Sequence, residues 1–315
     1  MNRLLLTDTH FGWKQNSTTW LNSQIAFLRR QIIPYLKEHP KTTIIHLGDV
    51  FDSRSSISPY VAKEVRECFI EIAKYADDFF IIAGNHDFYS PNSAEYESLS
   101  MVFRDCGKNL HLVIDEVFSN NFVDLYIPWY QYKYDLTKIL DEHPNARNIY
   151  THADIFGADK KPIEELRGCK VFAGHIHTPQ FKDNLYNLGS CFPLDFNDAN
   201  HDRFFYIYDD EQLLPYTNKG AIKFWRLKNE TIFDQEFNAI DYYELYINQA
   251  NLSDGRYQER IKEISNICRN FTVIPIIDSI SFDGDILETY DINTICKELI
   301  PKHLEKKFKQ VIESV

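Results

Sequence analysis

Ile44-Ile45-His46-Leu47-Gly48-Asp49-Val50-Phe51-Asp52 is the stretch from which the rest of the chain is read. An apolar run ends at Leu47, a glycine follows, and Asp49 is presented where a buried strand would emerge into solvent. A carboxylate so placed suits a metal ligand. It can give one oxygen to each of two divalent cations at the roughly 3.5–4 Å spacing of two-metal phosphoester sites. Alone, Gly-Asp is more often an ordinary turn, so the weight falls on what else converges there.

Other runs end in the same way. Residues 3–8, Arg-Leu-Leu-Leu-Thr-Asp, read as a strand delivering Asp8, with His10 two residues on. Phe79-Phe80-Ile81-Ile82-Ala83 leads to Gly84-Asn85-His86-Asp87, Asn148-Ile149-Tyr150-Thr151 to His152, and residues 169–173 to Gly174-His175-Ile176-His177. In an open α/β sheet, ligands bind beyond the carboxyl ends of the strands, so these residues can meet although they span about 170 positions. Each has an ordinary reading by itself: His152 as a core histidine, Asn85 as a turn residue, His175 and His177 as loop residues. Together those readings need repeated coincidence in a chain with only 11 histidines. His39 and His143, each before a proline, and His111, in a passage from loop to strand, stay outside the site.

Between these strands the pattern turns helical. Ile25, Leu28, Ile32 and Leu36 predict a helix over 19–38. Ser58 as N-cap and Pro59 at the first helical position start a second, with Val61, Val65, Phe69 and Ile72 on one face. An amphipathic helix is expected from about Ser93 to Cys106, with Tyr96, Leu99 and Phe103 inward.

At 315 residues, 44% hydrophobic and 25% charged, the chain has room for a substantial core and a smaller second domain. The amino terminus turns polar too soon for a secretory signal and no run would span a bilayer, so a cytoplasmic protein with no membrane contact is expected. Six scattered cysteines form no Cys-x-x-Cys pair and predict reduced, mostly buried thiols. The formal charge of −12 argues against attraction of the whole chain to nucleic acid. It leaves a local site open, because bound divalent cations would reverse the potential in a pocket.

With Asp8-x-His10, Gly48-Asp49, Gly84-Asn85-His86-Asp87, His152 and Gly174-His175-x-His177 in this order, the chain resembles the calcineurin-like metallophosphoesterases. Flanking residues, including Thr7-Asp8-Thr9-His10-Phe11-Gly12, Gly48-Asp49-Val50-Phe51-Asp52 and Ile127-Pro128-Trp129, are similar to the SbcD-type DNA repair nucleases. The resemblance covers about residues 1–208. It implies an α/β four-layer sandwich, two mixed sheets flanked by helices, with a small α+β cap and a C-terminal helix. It implies one metal on Asp8, His10, Asp49 and His177 and a second on Asp49, Asn85, His152 and His175. His86 is left to act catalytically on the substrate. Manganese suits such ligands, with magnesium, iron or zinc as substitutes. Asp87 and Asp52 flank this set. Asp52 stands where archaeal and eukaryotic members usually carry histidine, though bacterial relatives also have aspartate, and its role in protonation or DNA positioning stays open. The implied partners are DNA ends, an SbcC-type ATPase and a second copy of the chain. Two alternatives are a phosphatase or small phosphodiesterase on the same site, and a non-catalytic scaffold for the ATPase. The residues after Asn85-His86 and Gly48-Asp49 differ from the protein-phosphatase pattern, and a scaffold would need none of the ligand set.

Residues 203–208 read as a last strand of the nuclease domain, 1–210, with Asp209-Asp210-Glu211 as a turn. Strands at 242–247 and 271–277 around a helix at 255–268 predict the capping domain, 211–285. In the tail, 286–315, Asp291 can cap a helix whose Ile292, Ile295, Leu299, Leu304, Phe308 and Ile312 form an apolar stripe, broken at Pro301. Lys302, Lys306, Lys307 and Lys309 add positive charge, and the resemblance implies that such helices grip the ATPase. Folding back on the cap is the other reading.

Overall fold

Successive residues of a strand face opposite sides, so a strand apolar at every position must be covered on both. That rule builds the layers of this protein. The computed structural model describes residues 2–90, 93–120, 123–129, 136–156 and 166–276. The expected tail at 286–315 and the end of the cap therefore lie outside the described residues.

In β1 (Arg3–Leu6), β2 (Thr43–His46) and β3 (Phe79–Ile82) every position is buried. Leu4, Leu6, Ile44, Phe79 and Ile81 face the helices, and Leu5, Ile45, Phe80 and Ile82 face a second sheet. These three strands run parallel, joined by parallel β6 (Leu110–Val113) on one side and on the other by antiparallel β13 (Phe204–Tyr208), which pairs antiparallel in turn with β14 (Leu213–Thr217). The second sheet runs β11 (Gln180–Lys182), β12 (Leu185–Asn187), β10 (Lys170–Gly174), β9 (Asn148–His152), β8 (Asp124–Ile127), β7 (Phe118–Asn120). Its four central strands are parallel and its edges antiparallel. Between the sheets, Tyr126, Tyr150, Phe172, Tyr206 and Tyr208 pack against Leu5, Ile45 and Phe80. The second sheet's outer face is covered by Leu136, Leu140, Ile155 and Leu166. The result is two mixed sheets with helical layers.

The expected helix over 19–38 forms as Thr18–Phe27, a π-helical turn Leu28–Ile32, and Ile33–Glu38, with Ile25, Leu28, Ile32 and Leu36 buried. Helix Pro59–Ala73 starts where Ser58 Oγ accepts from Val61 N (3.2 Å). The helix expected from Ser93 is shorter. Ser93–Glu97 is instead β5, paired with β4 (Phe88–Ser90), and only Ser98–Phe103 is helical. Leu99 and Phe103 are buried as expected, but Tyr96 is 65% exposed. The hairpin supplies backbone partners that a helical reading of the side-chain stripe does not weigh.

The Asp209 carboxylate accepts from Glu211 N and Gln212 N, turning the chain back. The first sheet thus extends through β14, past the boundary expected near 210. A parallel three-stranded sheet follows, β15 (Phe224–Lys228), β16 (Tyr242–Asn248) and β17 (Asn270–Ile276), with helix Gly255–Ile267 crossing between the last two. Phe224 and Ile222 seat it on Trp20 and Ala199 of the sandwich. Cys68, Cys106, Cys169, Cys191 and Cys268 are free and buried. Among the described residues no helix is long and apolar enough to cross a membrane.

Candidate active site

Parallel strands β1, β2 and β3 of one sheet and β9 and β10 of the other end at one rim of the sandwich, and the residues just past their ends meet there. Asp8 and His10 follow β1, Asp49 follows β2, Asn85 and His86 follow β3, His152 ends β9, and His175 and His177 follow β10. Asp8, His10, Asp49 and His175 have φ of 51°, 45°, 53° and 89°. Such left-handed conformations cost energy in non-glycine residues and concentrate at functional sites. They turn each side chain inward where an extended strand would carry it away.

The convergence is close. His10 Nε2 lies 3.2 Å from His177 Nε2, 3.7 Å from Asp49 Oδ2 and 3.9 Å from Asp8 Oδ1. His177 Nε2 is 3.7 Å from Asp8 Oδ1. On the other side, Asp49 Oδ2 is 3.3 Å from His152 Nε2, and Asn85 Oδ1 is 3.0 Å from His152 Nε2 and 2.8 Å from His175 Nδ1. Asp8–His10–His177 and Asp49–His152–His175 are each grouped tightly enough to hold a divalent metal, and His10–Asp49–His86 forms an overlapping group.

The donor set fits cations. His152 Nδ1 donates to Leu47 O (2.8 Å), so Nε2 is the atom that meets Asp49 Oδ2 and Asn85 Oδ1, as a donor when the ring is protonated and as a lone pair for a cation when it is neutral. The buried oxygens of Asp49 and Asn85 need positive charge beside them, which the His152 proton supplies in the metal-free fold and a cation would supply in its place. Burial disfavours the charged form of His152, yet the charge and hydrogen bond of Asp49 prevail and raise its pKa to about 9. Burial likewise opposes the Asp49 charge, and His152 above all holds that carboxyl far below its usual range. Burial lowers His175 to about 4 and also depresses His177, leaving both imidazoles neutral near pH 7, the state in which histidine binds metal.

The turns leave no room for side chains. Gly48 has φ +104°, and a Cβ there would lie 2.4 Å from His152 Nδ1. A Cβ on Gly84 would lie 2.2 Å from Asp49 Oδ1 and 2.3 Å from Asp49 N.

His86 stands at the edge. Its N–H donates to Asp49 Oδ1 (2.8 Å), and its Nδ1 donates to Asp52 O (2.5 Å). The Asp52 side chain, 22% exposed, lies 3.6 Å from His10 Nδ1. Asp87 is fully buried and accepts from Gly84 N (2.9 Å), Val50 N (3.2 Å) and Phe51 N (3.3 Å). It ties the Asp49 turn to the Asn85 turn. Burial and the neighbouring Asp49 push its pKa up to about 7. The Trp129 ring lies tilted against the His175 ring with centroids 4.7 Å apart, and the Trp129 backbone N–H donates to Ala83 O (3.0 Å), which accounts for the Ile127-Pro128-Trp129 stretch.

Sequence reasoning passed over His46, inside the stretch quoted first. It is fully buried, accepts from Gly48 N at Nδ1 (3.3 Å) and contacts Thr9 Oγ1 through Nε2 (3.0 Å). Burial lowers its pKa to about 3. A polar residue in an otherwise apolar strand was its only signal. Thr7 Oγ1, which donates to Asp8 Oδ2 (2.5 Å), and Gln24 Nε2, which donates to Thr9 O (2.5 Å), gave none.

Residues 1–179 match the family model described as calcineurin-like phosphoesterase. Exonuclease subunit 1 of Enterobacteria phage T4 is 23% identical over 322 aligned positions, covering 95% of this chain and 92% of its own. Among solved structures, a dimetal phosphatase from Danio rerio overlaps 70% of this chain and 99% of its own, at 14% identity and a TM-score of 0.44. The nuclease MPE of Pseudomonas putida overlaps 68% of this chain and 87% of its own, at 16% identity and a TM-score of 0.33. Structural overlaps of this size say nothing about substrate.

Proposed function

Since the chain belongs to the calcineurin-like phosphoesterase family and is a metal-dependent hydrolase, we propose that its substrate is DNA and that it is an SbcD-type nuclease subunit. What carries this reading is the colinear similarity to a phage exonuclease subunit along nearly the whole of both chains. A likeness limited to the metal rim would fit any phosphoester.

In this reading Asp8, His10, Asp49 and His177 would hold one divalent cation, and Asp49, Asn85, His152 and His175 would hold the other. Manganese is the first choice, and magnesium, iron or zinc are substitutes. When bound, the pair supplies Lewis acidity at the phosphoryl oxygens. The protein's own groups do the rest. His152 keeps Nε2 aimed inward because Nδ1–H is held by Leu47 O, so loss of the Nε2 proton would leave a lone pair for the cation. Asp87 holds the two turns that carry Asp49 and Asn85. His86, with Nδ1–H committed to Asp52 O, has Nε2 left for the reacting phosphate. In its protonated form it donates to the leaving oxygen and stabilises the charge developing there.

The partners follow from the same reading: an SbcC-type ATPase gripped by the tail at 286–315, and a second copy of the chain. The test is to incubate the purified protein with manganese and labelled linear DNA, with and without the ATPase, beside a chromogenic phosphodiester and phosphomonoester. DNA cleavage is expected. Fast monoester turnover with DNA untouched in both conditions would give the site to a phosphatase. Truncation after Asp291 is expected to keep metal and nuclease activity while abolishing co-purification with the ATPase. Unchanged co-purification would remove the tail from that role.

A further inference from the structure

His10 and His177 approach each other from different sheets, and what fixes their separation lies beneath them. The His177 side chain is 35% exposed, so packing alone does not set its place. Instead the main chain of its turn is tethered at consecutive carbonyls. Asn187 Nδ2 donates to Ile176 O (2.7 Å) and Thr178 O (2.9 Å). His177 O accepts from Ser190 N (3.1 Å) and from Arg203 Nη1 (2.6 Å).

Arg203 is 3% exposed, and its Nη2 donates to the carboxylate of buried Asp198. The other oxygen of Asp198 accepts from Leu194 N (2.8 Å), and Leu194 O accepts from Trp13 Nε1 (3.0 Å). The Trp13 indole meets the His10 ring edge-on, with centroids 6.4 Å apart. A continuous path therefore runs from the His177 main chain through Arg203, Asp198, Leu194 and Trp13 to the face of His10. At its open end the two Nε2 atoms stand 3.2 Å apart. None of these contacts involves His152 or Asn85, which are tied to Leu47 O and to each other.

A guanidinium is costly to bury, and this one is not fully repaid, for Arg203 Nε has no partner among the described residues. The contacts it does make go to Asp198 and to one loop carbonyl. We propose that Arg203, oriented by Asp198, is a positioning residue that sets His177 against His10 and thereby the affinity of the metal site these histidines share. The proposal rests on the two-cation reading above. It goes further in predicting that one site depends on this brace and the other does not.

The test is calorimetric titration of manganese(II) into chelator-treated wild type and Arg203→Lys, with a melt of each metal-free protein. Lysine keeps the charge but lacks the planar fork that reaches Asp198 and His177 O together. Removing a group that orients a metal ligand typically weakens binding about 10- to 100-fold. One of two dissociation constants is expected to rise by that factor while the other stays put. Turnover of a chromogenic phosphodiester should fall at limiting manganese and recover at excess, with its KM unchanged. Equal weakening of both sites, or no weakening of either, would overturn the proposal. A wild type that bound no manganese would instead remove the two-cation reading. Should Arg203→Lys fail to fold, Asp198→Asn, which removes the charge that orients the Arg203 guanidinium and touches no residue of the metal rim, is judged by the same two constants.

Discussion

On the proposed division of roles, replacing His86 by serine should separate catalysis from metal binding. The imidazole is anchored by Nδ1 on Asp52 O (2.5 Å), and its ring lies edge-on to His10 with centroids 4.9 Å apart. Its backbone N–H, which serine retains, is the group that holds Asp49 Oδ1 (2.8 Å). The substitution therefore leaves the support of Asp49 in place and deletes the one nitrogen assigned to the phosphate. Loss of a single group that stabilises transition-state charge costs about a hundredfold to a thousandfold in rate, or about 2.7–4 kcal/mol. His86→Ser should show that fall in DNA cleavage at saturating manganese and bind the same number of cations as wild type. Asp49→Ala should lose both, because that carboxylate faces His10 on one side and His152 on the other. The measurement is metal content after gel filtration beside single-turnover cleavage. His86 also stands in a possible ligand group with His10 and Asp49. If His86→Ser were as metal-depleted as Asp49→Ala, His86 would be a ligand and the division of roles would be wrong.

Gly84→Ala should be disproportionately harmful for one methyl group, because its Cβ would overlap Asp49 N and Oδ1. Overpacking of about 1–3 kcal/mol and a fall in metal content are expected, and a variant with wild-type melting and metal content would refute the close approach. At the opposite end of β1, buried Arg3 donates to Asp124 Oδ2 (3.1 and 2.8 Å), and Asn148 Nδ2 donates to Asp124 Oδ1 (2.7 Å). Asp124→Asn should cost about 3 kcal/mol, seen as a lower Tm with unchanged manganese affinity. Removing metal should make stability depend on pH. The pKa of His152 is raised to about 9 in the metal-free fold, so its contribution is fully present below the ordinary value of 6.5 and is lost as pH rises through about 9. Melts of chelator-treated protein should decline across that window and those with excess manganese should not; parallel curves would refute the link.

Much of the site was legible in the sequence because its residues sit at a repeated grammatical position, the first polar residues after an apolar strand. Asp8, His10, Asp49, Asn85, His86, His152, His175 and His177 could be named from that pattern and the resemblance it supports. The layers were legible as well, since strands apolar at every position require cover on both faces. Tertiary structure alone decided what each polar group is spent on. Nothing in Gly84-Asn85-His86-Asp87 tells that Asp87 is consumed by Gly84, Val50 and Phe51 N–H groups while Asn85 faces His152 and His175. That division depends on a turn from a neighbouring strand. His46 drew no reading from the sequence, and Arg203 was only the first residue of an expected strand. Their partners Thr9 and His177 are supplied by chain 37 and 26 residues away. Local periodicity also misplaced Ser93–Glu97, because a side-chain stripe does not register which backbone groups a hairpin partner will satisfy. Sequence reports burial and chemistry residue by residue; hydrogen-bond partnership across strands belongs to the fold.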